Sequence, residues 1–258
     1  MKFFDSHAHY YDEKFAGADD IISALLSSTV SGMINVGTDP DNSITASEQA
    51  KRHPGMFAAA GIHPTDGQNI ADIYAALDRI SALLADPGSK CVAIGEIGLD
   101  YHYPDTDRKK QTEIFLAQIE MAKKTDLPVI IHDRDAHGDI FDILVHEKEL
   151  RAVLHSFSGS AESAKEYARR GYMISFSGTI TFKNAPRVRE AAEAVPMDQL
   201  LIETDCPYLA PHPLRGTVNH SGNLVYTNRA LSLVKGITEE ECAALTEANA
   251  KRFFGIDK

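Results

Sequence analysis

The feature that most constrains the fold of this chain is a regular alternation of short apolar runs with longer amphipathic stretches. Eight apolar runs have the length and near-continuous hydrophobicity of strands buried on both faces. They are Phe3–Ser6, Met33–Val36, Phe57–Ala60, Val92–Gly95, Val129–Ile131, Ala152–Leu154, Met173–Phe176 and Leu200–Glu203. Strands of this kind are typical of a parallel sheet covered by helices.

The stretches between these runs have helical periodicity. The predicted helices are Asp19–Ser28, Pro40–Arg52, Ile70–Leu84, Lys109–Lys124, Asp135–Glu147, Ser160–Arg170, Ala185–Ala194, Asn228–Lys235 and Glu239–Phe253. Eight strand–helix units in 258 residues predict an α/β fold, a (β/α)8 barrel of the TIM type, since such barrels have about 250 residues. We expect one domain covering residues 1–258.

An open, doubly wound sheet is the competing architecture. That fold usually carries a glycine-rich phosphate-binding turn after its first strand. Here the first strand runs into Asp5-Ser6-His7-Ala8-His9 instead. The sequence therefore favours the barrel.

Charge and cysteine content narrow the class of protein. Lys and Arg number 26 against 37 Asp and Glu, for a net charge of −11. Because duplex binding depends on neutralising phosphates, this balance argues against a general nucleic-acid-binding surface, although a locally positive, metal-loaded cleft could still hold a phosphate chain end.

The three cysteines cannot all pair, which indicates a reducing compartment. With no signal peptide and no apolar run of about 20 residues, we expect a cytoplasmic protein without a membrane segment or an obligate protein partner.

Side chains that can bind metal follow most of the predicted strands. In parallel barrels the chemistry lies at the carboxyl ends of the strands, and the residues found there are His7, His9, Glu96, His132, His155 and Asp205. His7 and His9 are two apart on an extended segment, so both side chains point to the same side. Six such groups exceed the four ligands of a structural zinc site. They suffice for two ions about 3.5–4 Å apart that share a carboxylate, an arrangement that serves phosphate-ester hydrolysis.

Each of these residues has a simpler explanation when taken alone. A His-x-His pair can be a hydrogen-bonding motif, and Asp205 before Cys206-Pro207 can be a turn residue. The set is harder to explain in this way, because four histidines and two acids would all meet at one end of the barrel. Two further residues follow strands in suitable positions: His63, for which we favour a substrate or phosphate contact over a metal bond, and Arg134, whose guanidinium could grip a phosphate through paired donors.

At this point the chain resembles the TatD family of metal-dependent deoxyribonucleases, within the amidohydrolase superfamily. The motifs that carry the resemblance are Asp5-Ser6-His7-Ala8-His9, Gly61-Ile62-His63-Pro64, Gly95-Glu96-Ile97-Gly98-Leu99-Asp100-Tyr101, His132-Asp133-Arg134-Asp135-Ala136, His155-Ser156-Phe157-Ser158-Gly159 and Glu203 to Pro211. The resemblance implies a TIM-like barrel whose two divalent ions are ligated by His7, His9, Glu96, His132, His155 and Asp205, with Glu96 shared. It also implies that His63 and Glu203 belong to the active site.

The sequence departs from the family pattern at two places. Ser156 stands where the family often has Cys, which is a conservative change. The family usually shows Asn-x-Pro after Arg215-Gly216, whereas this chain has Asn219-His220-Ser221 without a proline. The loop after the last strand could therefore differ in shape, and with it the length and type of substrate.

The resulting functional hypothesis is a divalent-metal-dependent phosphodiesterase, most simply a deoxyribonuclease that removes nucleotides from 3′ ends of single strands. A water activated by two ions (Mg, Mn or Zn) would attack the phosphate, with Asp205 taking the proton and Glu203 as the acid that could replace it in this role. Two alternatives stay open. One is an amidohydrolase for a small amide, lactone or ester, which often has a carboxylated Lys where this chain has Glu96. The other is a metal-dependent binding protein without catalysis.

Overall fold

All eight predicted strands form, and they pair in chain order, side by side and parallel, into one sheet. The computed structural model describes residues 1–15, 17–147 and 149–256. The strands are β1 (Phe3–Ala8), β2 (Val30–Val36), β3 (Met56–Ala60), β4 (Cys91–Asp100), β5 (Val129–Arg134), β6 (Ala152–Leu154), β7 (Met173–Phe176) and β8 (Leu200–Ile202). The prediction of a TIM-type barrel is confirmed.

Helices connect the strands on the outside. They are α1 (Ala18–Ser28), α2 (Pro40–Arg52), α3 (Pro64–Gly67), α4 (Ile73–Ala85), α5 (Arg108–Thr125), α6 (His137–Leu144), α7 (Ala161–Arg169), α8 (Pro186–Ala194), α9 (Leu224–Lys235) and α10 (Glu239–Phe254). The main differences from the prediction have local causes. Helix α4 begins at Ile73 rather than Ile70 because the Asp72 side chain caps the amide of Ala75. The four-residue helix α3 was not predicted, since one turn is too short to show a periodicity.

Strand β4 is much longer than the four residues predicted for it. It continues from Gly95 through Asp100 because it stays paired with β5, with Gly98 opposite His132 and Asp100 opposite Arg134. Gly98 has φ 145°, and a Cβ atom there would lie 2.0 Å from the carbonyl oxygen of His132. Only glycine allows this approach. The extension brings both acids of β4 to the carboxyl end of the barrel, beside His132.

The barrel interior is filled by one apolar cluster to which every strand contributes. Its members include Phe4, Ile34, Val36, Ala59, Ala93, Ile130, Val153, Met173 and Leu201. Phe253 and Phe254 near the end of α10 pack against the same cluster. The remaining buried apolar side chains lie between the strands and the surrounding helices. The interior is therefore a packed core, which leaves the carboxyl ends of the strands as the place for chemistry.

Polar contacts join the first strand to the last. The buried carboxylate of Asp5 accepts hydrogen bonds from the backbone amide of Thr204 at 2.9 Å and from its hydroxyl at 2.6 Å. Just beyond the strands, the amide of Asp205 donates to the carbonyl of His7 at 2.9 Å, and the amide of His9 donates to the carbonyl of Cys206 at 2.8 Å. These bonds fix Asp205 beside the two histidines of β1. Along the described ranges, no helix is both long and apolar enough to cross a membrane.

Candidate metal centre

The six predicted metal ligands come together in one cluster at the carboxyl end of the barrel. They lie at or just beyond the ends of five different strands: His7 on β1 and His9 directly after it, Glu96 on β4, His132 on β5, His155 directly after β6 and Asp205 in the segment after β8. Most of these side chains are buried. Asp205 and His132 keep 15% and 16% of their side-chain surface exposed, so the cluster is open to solvent on one side.

Glu96 lies at the centre of the cluster, and its two oxygens face different histidines. Oε2 is 3.3 Å from Nε2 of His7 and 3.7 Å from Nε2 of His9. Oε1 is 2.6 Å from Nδ1 of His132 and 2.8 Å from Nε2 of His155. One carboxylate therefore stands between two pairs of imidazole nitrogens, as a carboxylate shared by two cations would.

Asp205 completes the group around His7 and His9. Its Oδ1 is 3.4 Å from Nε2 of His9 and 3.7 Å from Nε2 of His7. The residue has φ 56°, in the left-handed region, which Asp tolerates better than most residues. His7, His9 and Asp205 offer one ligand atom each within 4.8 Å of one another, and so do His7, Glu96 and His155.

The charges in the cluster favour a bound cation. Burial alone would raise the pKa of Glu96, but the surrounding histidines, His155 first, hold it well below its ordinary value. Burial alone would likewise raise the pKa of Asp205, but the hydrogen bond with His9 together with the charges of His7, His155 and His9 lowers it. Both acids are therefore ionised, and the histidines beside them supply the positive charge that a buried carboxylate needs, a charge that a bound cation would supply instead.

Hydrogen bonds on the far side of three histidines hold the outer ring nitrogen as a donor and turn the other nitrogen toward the cluster. Nδ1 of His9 is 2.7 Å from the carbonyl oxygen of Val36, and since a carbonyl only accepts, Nδ1 carries a proton. The same reasoning applies to His155, whose Nδ1 is 3.1 Å from Glu203, and to His132, whose Nε2 is 3.1 Å from Asp100. The inward nitrogens of His132 and His155 face Oε1 of Glu96 at 2.6 and 2.8 Å and carry protons there, which a bound cation would displace. Histidines that ligate metals are held by such outer hydrogen bonds, so the donor set fits divalent cations.

His63 differs from these three histidines, because its outer nitrogen accepts a hydrogen bond rather than donating one. Its Nδ1 accepts a hydrogen bond from the backbone amide of Thr65 at 3.3 Å, and a backbone amide can only donate. Burial lowers the pKa of His63 to about 3, so the ring is neutral and its proton lies on Nε2. That nitrogen is 3.6 Å from Oε1 of Glu96. His63 therefore presents an N–H donor to the cluster, which suits a contact to an anionic oxygen and not a metal bond.

Glu203 lies behind His155. Its Oε1 accepts from the amide of Ser156 at 2.7 Å and faces Nδ1 of His155 at 3.1 Å, whereas Nε2 of the same ring faces Glu96. The side chain is fully buried. The structure thus places Glu203 against the back of a histidine, and Asp205 on the side where the cluster opens.

Arg134 is an exposed residue at the end of β5. Its guanidinium lies 5.8 Å from the centre of the Tyr103 ring and forms no ion pair within the described part of the chain. Burial raises the pKa of Asp100, but the hydrogen bond with His132 and, from further away, the charge of Arg134 hold it below its ordinary value. Arg134 is therefore near the cluster but outside it, and its role as a phosphate contact stays a prediction.

Asp100 was not singled out from the sequence. It is buried and hydrogen-bonded to His132, and it lies close to His63 as well. A signal was available, because Glu96 and Asp100 are four residues apart in one strand, a spacing that puts both side chains on the same face.

Comparisons with known proteins identify relatives of this chain. The family model "TatD related DNase" matches residues 4–255. The "uncharacterized metal-dependent hydrolase YabD" of Bacillus subtilis is 39% identical over 98% of this chain and 99% of that protein. The "uncharacterized metal-dependent hydrolase TatD" of Mycobacterium tuberculosis is 35% identical over 98% of this chain and 97% of that protein.

Solved structures have the same fold. The crystal structure of YJJV, a TatD homologue from Escherichia coli K12, has a TM-score of 0.91 at 29% identity and covers 98% of both chains. A TatD-family hydrolase from Entamoeba histolytica has a TM-score of 0.85 at 20% identity, again over 98% of both chains, and shows the shared fold alone. The match to the family model over nearly the whole length, together with these relatives, shows that the chain belongs to the TatD family of metal-dependent hydrolases.

Proposed function

We propose that this protein is a phosphodiesterase acting on DNA, with single-stranded ends as its substrate and two divalent ions, of Mg, Mn or Zn, as its cofactors. The observation that carries the proposal is the position of Glu96, whose two oxygens face separate pairs of histidines. A pair of ions sharing one carboxylate is the arrangement used by many phosphatases and nucleases. The name of the matched family, TatD related DNase, supports DNA as the substrate.

Two groups of residues would hold the ions. Nε2 of His7, Nε2 of His9, Oε2 of Glu96 and Oδ1 of Asp205 form the first group, and Nδ1 of His132, Nε2 of His155 and Oε1 of Glu96 form the second. When bound, such ions lower the pKa of a water and stabilise the negative charge that develops on the phosphate. Asp100 and Glu203 hold His132 and His155 in the ligating tautomer.

The remaining steps belong to the protein itself. Asp205, on the open side of the cluster, accepts the proton of the attacking water, whose oxygen bonds to phosphorus as the bond to the leaving oxygen breaks. The same carboxyl group then returns the proton to the leaving oxygen. The Nε2–H of His63 donates to a phosphoryl oxygen, and Arg134 contacts the phosphate from the rim. Glu203 acts through His155, because its Oε1 is hydrogen-bonded to that ring and to the amide of Ser156.

Replacing Glu96 tests the assignment. Glu96→Gln keeps the size of the side chain but removes the charge that two cations would share. We expect the variant to lose bound metal and activity on single-stranded DNA together, measured by elemental analysis and by release of labelled nucleotides. Glu113→Gln is the matched control, because Glu113 is an exposed residue of α5 that is not part of the cluster. A Glu96→Gln protein that kept two tightly bound ions and a near wild-type rate would show that the assignment is wrong.

A further inference from the structure

Four aromatic rings paired with cations lie at the end of the barrel that carries the metal centre. They lie on segments that follow the strands at their carboxyl ends, although the chain as a whole is acidic. The cation-to-centroid distances are 4.3 Å for Lys14 and Tyr208, 5.8 Å for Arg134 and Tyr103, 4.1 Å for Arg108 and Tyr101, and 4.4 Å for Arg215 and Phe182. Rings with cations beside them are the means by which proteins bind single strands without reading sequence, the rings stacking on bases and the cations following the backbone.

Of these four rings, Tyr208 is the one that contacts a predicted ligand. It comes three residues after Asp205, and its centroid is 6.4 Å from that of His9. Its hydroxyl donates to Asp12 at 2.6 Å, its amide donates to the carbonyl of Asp205 at 2.9 Å, and its carbonyl accepts from Asn219 at 2.8 Å. The residue is nevertheless 45% exposed. A ring that is both fixed and exposed loses little conformational freedom when a ligand packs on it.

A second exposed ring lies across the opening. Tyr103 is 47% exposed and follows β4, with Arg134 at the end of β5 beside it. Tyr208 follows β8, and Lys14 follows β1. In an eight-stranded barrel whose strands are paired in chain order, the β4–β5 edge is opposite the β8–β1 edge. The metal centre therefore lies between two ring–cation pairs.

We propose that these two pairs hold a single nucleic-acid strand across the metal centre, and that Tyr208 is the platform on which a base beside the cleaved bond stacks. This inference rests on the proposed phosphodiesterase function and adds how the substrate is recognised. Lys14 contacts a phosphate on one side of the cleaved bond, and Arg134 contacts one on the other. Stacking on Tyr208 makes recognition depend on the presence of a base but not on its identity, because every base has a π-face.

The test compares two labelled oligonucleotides of equal length, one all-thymine and one with tetrahydrofuran abasic nucleotides throughout. Metal-loaded Tyr208→Ala should lose about 5- to 30-fold in kcat/KM on the thymine strand, the lower part of the range for one base–aromatic stack. Its kcat/KM on the abasic strand and its metal content should match the wild type. Tyr208→Phe keeps the ring and should keep most of the preference for bases. Tyr74→Ala is the matched control, because Tyr74 is 72% exposed on α4.

The other outcomes would contradict either the stacking role of Tyr208 or the proposed function itself. Equal losses on both strands, no loss on either, or a loss of metal in Tyr208→Ala would all show that Tyr208 is not a platform for bases, while leaving the phosphodiesterase function intact. Failure of the metal-loaded wild type to cleave either strand would instead remove the proposed function, and the stacking role with it.

Discussion

Two acids near the end of β8 are separated by a single residue but have different surroundings. Asp205 faces the ligand nitrogens of His7 and His9, whereas Glu203 faces the opposite side of His155. The left-handed backbone at Asp205, with φ 56°, turns the chain immediately after the strand. The reacting water would therefore meet Asp205, and Glu203 would act only by holding a histidine.

This difference predicts different defects for two isosteric variants. Asp205→Asn can still offer an oxygen to a cation but cannot accept a proton, so we expect it to retain most of its metal and to lose about 10²–10⁴ in kcat, the usual share of a general base. Glu203→Gln can still accept from His155 and Ser156, so its kcat should stay within about tenfold of the wild type, with metal affinity lowered about 10- to 100-fold. Metal titration beside turnover measures both. Normal turnover by Asp205→Asn with an inactive Glu203→Gln would reverse the roles.

The sequence predicted which of these residues lie together, but it did not predict which nitrogen of each histidine ring faces the cluster. Histidines and acids that follow parallel strands converge by the logic of the barrel, and so His7, Glu96 and His155 could be placed together in advance. Which nitrogen of each ring faces inward depends on distant partners such as the carbonyl of Val36 and the carboxylate of Asp100. No spacing rule names these partners, because they come from other strands or from a strand extension that was not predicted.

The loop after β8 is the element that most directly shapes the substrate side. It lacks the proline that the family usually has after the Asn, but Asn219 is fully buried and holds the loop by its side chain. Its Nδ2 donates to the carbonyls of Thr204 and Tyr208 at 2.9 and 2.8 Å, and its Oδ1 accepts from the amide of His220 and from Asn223 at 3.0 and 2.9 Å. One side chain thus links the segment after β8 to the backbone of Tyr208 and to the start of α9.

Removal of the Asn219 side chain should therefore loosen the loop. Asn219→Ala leaves the carbonyls of Thr204 and Tyr208 without their side-chain donor, which we expect to cost about 2–4 kcal/mol in free energy of unfolding, since each unsatisfied buried group costs about 1–3 kcal/mol. Urea denaturation followed by circular dichroism measures this. Asn69→Ala is the control, because Asn69 is exposed and its side chain makes one bond, to the carbonyl of Thr65. An unchanged midpoint for Asn219→Ala would contradict the anchoring role.

Elements were predictable where hydrophobic periodicity was long and regular. Helices α2 and α8 have the predicted bounds or nearly so, and the apolar run of β7 is matched residue for residue. The extension of β4 was missed because Gly95 to Asp100 reads as a loop with two glycines. This segment is a strand because β5 pairs with it as far as Arg134. Such pairing is a tertiary contact, which a local sequence pattern does not contain.

The whole molecule combines a net charge of −11 with a substrate proposed to be an anion. The cations that bear on this opposition are local. Lys14, Arg134 and Arg215 lie at or after strand ends and Arg108 at the start of α5, at the end of the barrel that carries the cluster, and the ionised acids of the cluster favour bound cations. The acidic remainder disfavours general binding of nucleic acid elsewhere on the surface. We therefore expect both the binding and the cleavage of DNA to require metal ions bound at the centre.

Hydrolysis of a defined single-stranded DNA by metal-depleted and metal-restored protein tests this claim most directly. The protein is stripped with a chelator and dialysed, and a 5′-labelled oligonucleotide and a panel of small amides, lactones and esters are then incubated with it in parallel, with and without added Mg²⁺, Mn²⁺ or Zn²⁺. We predict no cleavage by the stripped protein, cleavage of the DNA when at least one of these ions is restored, and no hydrolysis of the small amides and lactones. Cleavage of DNA by the stripped protein at the restored rate, or hydrolysis of an amide or lactone without any cleavage of DNA, would contradict the account.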